Sequence, residues 1–299
     1  MAKALPSRRQ DRLWRLEALA FDVFTALVRI LPVDLVSALG GALGRWIGPL
    51  TSAHRTAVRN LEIALPELDA AGRARILRQQ WDNFGRYLFE FPIADRLTPA
   101  GGRVTVTGFE RLQAIARSGR PAVLISGHFA NIEVMAAVIL AAGIACDVTY
   151  RAANNPYVDR RIIEGRFRYG IQLLAPKGAE GARDLIASLK AGRSIAMLND
   201  QRYDTGVAGP FFGQEVMTLP AGVRLAQRFG AVLQPMSIVR LKGARFRVEV
   251  HPPIPLTGDE AAGVAAINAF IEARVREHPG QWWWMHRRWP AQVYARPSA

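Results

Sequence analysis

From residue 122 onward the chain alternates short apolar, β-branched runs with amphipathic stretches, and this rhythm constrains the fold more than any other feature. Strand candidates fall at 122–126, 146–150, 171–174, 194–198, 231–239 and 245–250. Helix candidates fall between them and after them, at 131–142, 156–169, 179–191, 218–229 and 260–277. Strands that alternate with helices bury both faces of a parallel sheet under helical layers, so the pattern predicts an α/β fold with a largely parallel sheet covered by helices. Lys242-Gly243 separates the last two strand candidates and reads as a hairpin turn, which makes the sheet mixed. Upstream, 52–65 and 69–91 carry apolar residues at helical spacing, and Val104 and Val106 alternate before a helix at 109–117.

The first strand–helix unit also carries the clearest chemistry. Ala122 to Ser126 is a buried-strand run, Gly127 breaks it, and Asn131 is a good N-cap for the helix that follows. His128 falls on the turn between them. Glu133 lies five residues further on, which within one helix would place the two about 140° apart. They meet only if His128 precedes the helix and Glu133 reaches back from its first turns. An imidazole held by a carboxylate is what a general base needs to take a proton from a hydroxyl. A His near a Glu is more often a surface pair, so spacing alone does not establish the role. In open α/β sheets, sites gather at the carboxyl ends of strands. His128, Arg151 and Asp200 each follow such an end.

The 299 residues carry a formal charge of +14, with arginine far in excess of lysine. Such a balance selects anionic partners. No zinc-finger spacing, basic heptads or RNA-binding aromatic strand pattern is present in the sequence, so nucleic acid is not expected. No His-Glu-x-x-His pattern surrounds Glu133, and no metal is expected. Cys146, the single cysteine, has no intrachain partner and reads as a buried structural thiol. Residues 16–50 are strongly apolar but interrupted by Glu17, Asp22, Arg29, Asp34 and Arg45, and Pro32 breaks them into two helices, the second capped by Asp34. No uncharged window reaches the roughly 18 residues of a spanning helix. The pattern fits membrane-surface helices with basic anchors at Lys3, Arg8, Arg9, Arg12 and Arg15, and with Trp14 and Trp46 at the interface. Two ordinary packed helices are the alternative. Two segments are therefore expected, 1–50 as membrane-associating helices and 51–299 as the main domain.

The phrase Gly127-His128-Phe129-Ala130-Asn131-Ile132-Glu133 resembles the His-x4-Asp/Glu motif of the lysophospholipid and lipid A acyltransferases, most closely the lauroyl/myristoyl enzymes that complete lipid A. Further blocks resemble the same family in the same order. They are 55–66 with Asn60-Leu61, Arg151 after Thr149-Tyr150, Asn199-Asp200-Gln201-Arg202, Pro210-Phe211-Phe212-Gly213, and Trp283-Trp284-Met285-His286-Arg287-Arg288-Trp289. The resemblance implies a glycerolipid-acyltransferase-like fold at the cytoplasmic face of a bacterial inner membrane. The implied reaction moves a fatty acyl chain from acyl carrier protein to a hydroxyl on a phosphorylated lipid A precursor, giving an acyloxyacyl ester, with no cofactor.

On this resemblance His128 is the base and Glu133 its partner. Arg151, the backbone amides near Phe129, or both, stabilise the oxyanion. Asp200, Gln201 and Arg202 lie near the acceptor. Phe211 and Phe212 line an acyl groove or simply pack. Arg160, Arg161, Arg166 and Arg168 share a helix that meets the carrier or phosphates, or forms a solvated basic face. Trp282, Trp283 and Trp284 sit at the membrane interface or close the core, and Glu90 stands out as a carboxylate among apolar neighbours, suited to a buried pair. A related acyltransferase acting on another glycolipid or aminolipid, and a non-catalytic basic lipid-binding scaffold, are the competing readings.

Overall fold

The computed structural model describes residues 7–150, 152–168, 170–174 and 179–295, with the side chains of 168, 172–174, 179 and 180 outside the description. Its strands are β1 (Val104–Thr107), β2 (Ala122–Ser126), β3 (Cys146–Thr149), β4 (Gln172–Leu174), β5 (Ser194–Leu198), β6 (Val207–Phe211), β7 (Gln214–Thr218), β8 (Val232–Arg240) and β9 (Phe246–Val250). Its helices are α1 (Arg8–Ile30), α2 (Val33–Ile47), α3 (Ser52–Ala64), α4 (Ala70–Glu90), α5 (Phe109–Ser118), α6 (Ile132–Ala141), α7 (Pro156–Arg168), α8 (Ala179–Lys190), α9 (Ala221–Phe229), α10 (Glu260–Glu277) and α11 (Ala291–Ala295).

Every residue of β2 is buried, as its unbroken apolar run requires in a strand covered on both faces. β2 is the central strand of a seven-stranded sheet with order β1-β9-β8-β2-β5-β3-β4. All neighbours pair in parallel except β8 and β9, the expected hairpin. The predicted mixed, largely parallel sheet is therefore the observed one. Cys146 is buried at the start of β3, where burial pushes its thiol up to about 12 and keeps it protonated.

The predicted helix at 218–229 starts later. Thr218 closes β7, and α9 begins only after Pro220. The reason is a second hairpin that the alternation did not reveal. β6 and β7 pair antiparallel with Phe211 opposite Gln214, leaving Phe212 and Gly213 as the turn. Both turn residues have positive φ, 50° and 68°, the two-residue geometry that matches strand twist.

At the N-terminus, α2 lies against α4 along a seam of glycines. A Cβ on Gly40 would stand 2.5 Å from the Gly85 carbonyl oxygen, and one on Gly44 would collide with the Trp81 carbonyl. The N-cap of α2 is Pro32 rather than Asp34. Asp34 instead takes Arg103 and the Ala244 amide, tying the helix to the sheet edge.

α1 is inverted relative to a helix folded in water. Its three acids and Arg29 bond to the rest of the protein: Tyr157 donates to Asp11 at 2.7 Å, Asn155 to Glu17 at 2.8 Å, and Arg161 to Asp22 at 2.5 and 2.6 Å, while Arg29 donates to Asp95. Its apolar residues, Leu13, Leu16, Leu19, Val23, Leu27 and Ile30, recur every three or four positions and point outward. The exposed edge continues through Leu35, Leu39 and Leu43 to Trp46 and Leu50, which are 76% and 81% exposed. No helix among the described residues is long and apolar enough to cross a membrane.

Candidate active site

β2 and β5 are neighbours, with Ser126 in register with Leu198. The residues two places beyond each of these are His128 and Asp200, so sheet register alone brings them together. Asp200 Oδ1 lies 2.6 Å from His128 Nδ1, and Asp200 Oδ2 accepts from the His128 backbone amide at 2.6 Å. Trp282 Nε1 donates to the same Oδ2 at 2.7 Å. Burial alone would raise the Asp200 carboxyl. Its charge and hydrogen-bond partners, His128 above all and then Trp282, outweigh that and hold it well below the usual carboxylate range.

The turn itself is pinned from the far end of the chain. The Ala130 amide donates to the Gln281 carbonyl at 2.9 Å, and the Trp283 amide to the His128 carbonyl at 3.1 Å. Ala130 takes φ of 41°, strained for a residue with a side chain, at the point where the backbone swings from His128 to the helix. At Gly127 a side chain would meet Asp200 Oδ2 at 3.0 Å and the Phe129 ring at 2.8 Å. Asn131 caps α6 as expected, accepting from the Glu133 amide at 3.1 Å.

Glu133 is not the carboxylate on the His128 Nδ1. It points into a pairing with Arg166 of α7, Nη2–Oε1 2.5 Å and Nε–Oε2 3.1 Å, and accepts from Tyr87 at 3.5 Å. Burial, then the Glu133 charge, pushes the Tyr87 hydroxyl up, so it stays a donor. The carboxylate on His128 Nδ1 is therefore Asp200, where the sequence spacing points to Glu133. Sequence spacing offers the nearest carboxylate, whereas strand pairing supplies one 72 residues away.

Both His128 and Glu133 line a cavity of about 260 Å³. His128, Glu133, Arg166, Gln201 and Tyr203 bring polar groups to its wall. The rest of the lining is mostly apolar, with residues such as Leu124, Met135, Ile139, Met197 and Met236. The Gln201 side-chain amide lies 3.5 Å from His128 Nε2, the nitrogen that Asp200 leaves available. Ser126 also lines this cavity, and its buried hydroxyl has no hydrogen-bond partner among the described residues, a donor that the sequence did not single out.

Other expected site residues fall elsewhere. Arg151 lies outside the described residues, as does the side chain of Arg168. The Phe129 amide, an expected oxyanion donor, is bonded to the Gly127 carbonyl at 3.0 Å and its neighbours' amides are likewise engaged. Arg202 pairs with exposed Asp204 at 2.7 Å rather than entering the cavity. Phe211 and Phe212 are buried behind the dyad, packed edge-on against each other and tilted against Trp282 and Trp284 respectively, so the packing alternative holds for them. Trp282, Trp283, Trp284 and Trp289 are buried too and belong to the core rather than to an interface. Of the helical arginines, Arg160 is exposed, Arg161 is spent on Asp22, and Arg166 is a cavity wall residue rather than a rim charge.

The sequence blocks that frame this site also meet in space. Asn60 donates to the carbonyls of Trp284 and His286 at 2.5 and 2.6 Å, and the Tyr294 hydroxyl donates to Asn60 at 2.7 Å. Arg288, buried, donates to the Gln201 and Met217 carbonyls and to Thr218.

The sequence profile described as bacterial lipid A biosynthesis acyltransferase matches residues 3–291. This chain belongs to that family. It is similar to the lipid A biosynthesis lauroyltransferase of Escherichia coli K12, 28% identical over 286 residues that cover 91% of this chain and 90% of the relative. The lipid A biosynthesis palmitoleoyltransferase of the same organism is 25% identical over 278 residues, 90% of this chain and 89% of the relative. Among solved structures, the 1-acyl-sn-glycerophosphate acyltransferase of Thermotoga maritima aligns with 84% of this chain and 99% of its own. Its identity is 14% and its TM-score 0.39, too distant to carry an argument about the site. Membership of the family makes the chain an acyltransferase of lipid A biosynthesis.

Proposed function

We propose that the protein transfers a fatty acyl chain from an acyl carrier protein thioester to a hydroxyl of a phosphorylated lipid A precursor, forming an acyloxyacyl ester. The observation that carries this reading is the His128–Asp200 pair, with His128 on the wall of a cavity whose lining is mostly apolar. With Asp200 on Nδ1, the His128 Nε2 takes the proton of the acceptor hydroxyl as its oxygen attacks the thioester carbonyl. Ser126 and Gln201 are the donors placed to stabilise the oxyanion that results. Collapse breaks the C–S bond, and the thiolate leaves with the proton that the imidazolium returns. The apolar walls take the acyl chain. The acidic carrier suits a chain of charge +14, and exposed Arg160 on α7 is a rim charge of the kind that steers encounter. Incubation of the purified protein with acyl carrier protein and CoA thioesters and a panel of lipid acceptors, read by mass spectrometry, tests the assignment. Transfer from CoA alone, or to non-glycolipid acceptors alone, would refute it.

Residues 1–50 serve in this reading as the membrane-associating segment, at the cytoplasmic face of the inner membrane. α1 supports it: a helix that pairs its acids with the protein, turns leucines outward and keeps exposed arginines at its amino end suits an apolar phase under anionic headgroups. Full-length protein should therefore co-sediment with anionic vesicles and be released, at least in part, by alkaline carbonate. Leu19→Glu combined with Leu27→Glu should weaken vesicle binding by roughly tenfold or more, since each buried leucine contributes about 1.5–3 kcal/mol. Both side chains are exposed, so the melting temperature should barely move. Unchanged vesicle binding in that variant would remove α1 from the membrane.

A further inference from the structure

Another cavity, of about 570 Å³, is lined in part by the C-terminal segment just beyond the residues that pin the His128 turn. It is lined by Ser52, Arg55, Thr56 and Arg59 of α3 and by Arg287 and Tyr294. Its charge is poorly compensated. Arg59 pairs with Glu62 at 2.9 Å, but neither Arg55 nor Arg287 forms an ion pair among the described residues. The Arg287 guanidinium stands 5.5 Å over the Tyr294 ring, which fixes its plane and leaves its donors for a ligand. Ser52 opens α3, and the amino end of that helix adds positive potential to the same concavity.

Two features of position say what such a basic cavity holds. Trp46 and Leu50, among the most exposed apolar residues of the outward edge, end just before α3 begins, so the cavity mouth sits next to the surface that enters the lipid and hence at headgroup level. On the other side, His286, between the cavity-lining Met285 and Arg287, has its ring 5.6 Å from that of His128. The segment that lines the cavity thus also carries a ring in contact distance of His128.

We propose that this cavity binds a phosphate group of the acceptor glycolipid, with Arg55 and Arg287 as its charged donors, and so places the acceptor hydroxyl beside His128. The assignment rests on the acyl-transfer reading above and adds to it the residues that recognise the acceptor. Arg–phosphate hydrogen bonds are charge-assisted and bidentate, so they distinguish a phosphorylated sugar from a neutral one.

The test uses full-length protein and a phosphorylated glucosamine-disaccharide lipid, or its phosphatase-treated counterpart, each carried in phosphatidylcholine vesicles. Wild type should bind the phosphorylated lipid about tenfold or more tightly than the treated one, and Arg55→Gln with Arg287→Gln should erase that preference while leaving binding of the treated lipid unchanged. Both side chains lie at the surface of the fold, and a thermal melt confirms that the variant is folded. In the transfer assay the same variant should raise KM for the phosphorylated acceptor by a similar factor and change kcat little. Adding phosphatidylglycerol to the vesicles separates a bilayer phosphate from the acceptor's. If it abolishes the preference, the cavity serves bulk lipid and the proposal fails. Equal preference in wild type and variant overturns it as well. Absence of acyl transfer by wild type would sink the proposed reaction, while the binding measurement still decides whether the cavity recognises phosphate.

Discussion

Asp200→Asn should cost nearly as much activity as removing the base itself. His128→Ala is expected to lower turnover by roughly 10²–10⁴-fold, the usual contribution of a positioned general base. Asp200 receives three donors on two oxygens: the His128 ring at Nδ1, the His128 amide and Trp282 Nε1. An asparagine keeps one accepting oxygen and turns an NH2 group toward donors, so the ring is driven to the wrong tautomer and Nε2 no longer accepts a proton. Because the residues act as one unit, His128→Ala with Asp200→Asn should lose little more than His128→Ala alone. Glu133→Gln should be milder in turnover, since its partners are Arg166 and Tyr87. Steady-state kinetics of the four variants settle the matter. Asp200→Asn with near-normal turnover beside an inactive Glu133→Gln would restore the pairing expected from sequence spacing. The pH dependence follows the same carboxyl. Its folded value lies below its unfolded one, so its pairing stabilises the fold above the ordinary carboxylate range and that contribution is lost as acid protonates it. The acid limb of the activity profile therefore cannot come from Asp200.

The largest stability effect should come from a pair further from the chemistry. Glu90 and Arg240 are both buried, with Nη1–Oε1 2.5 Å and Nη2–Oε2 2.8 Å. Arg240 Nε donates to Asn83 at 2.8 Å, and Glu90 accepts from Asn131 at 2.9 Å. Asn131 is the cap of α6, so the pair braces the turn that carries His128. Arg240→Ala leaves a buried carboxylate uncompensated and should cost roughly 3–5 kcal/mol. Replacing both partners together, Glu90→Leu with Arg240→Met, should recover most of that loss, because the desolvation of two charges is removed along with their attraction. Urea unfolding of the single and double variants gives the comparison. A double variant as unstable as Arg240→Ala would mean that the hydrogen bonds to Asn83 and Asn131, rather than charge, hold the turn.

Local signals were readable in the sequence, and pairing over distance was not. The strand–Gly127–His128–Asn131 unit was legible because each residue there acts on its own backbone, and Glu90 was marked by its apolar neighbours. The partner of His128 was hidden because it depends on which strand lies beside β2, and nothing local to Asp200 says so. Phe211 and Phe212 were open to a groove reading because the hairpin that buries them places a phenylalanine at a positive φ, where a turn is normally announced by asparagine or glycine. The arginines of α7 could have been separated by phase: Arg161 and Arg166 lie about 140° apart around a helix, so one meets α1 and the other the cavity.

The contacts between α1 and α7 bear on how this protein can be dissected. The helix whose Arg166 forms part of the cavity wall is strapped through Asn155, Tyr157 and Arg161 to the helix that turns its leucines outward. Truncating the N-terminus therefore removes a brace of the cavity along with the segment proposed to meet the membrane. Inactivity of a shortened chain would carry no information about attachment, and point substitutions on the outer leucines are the informative genetic tool.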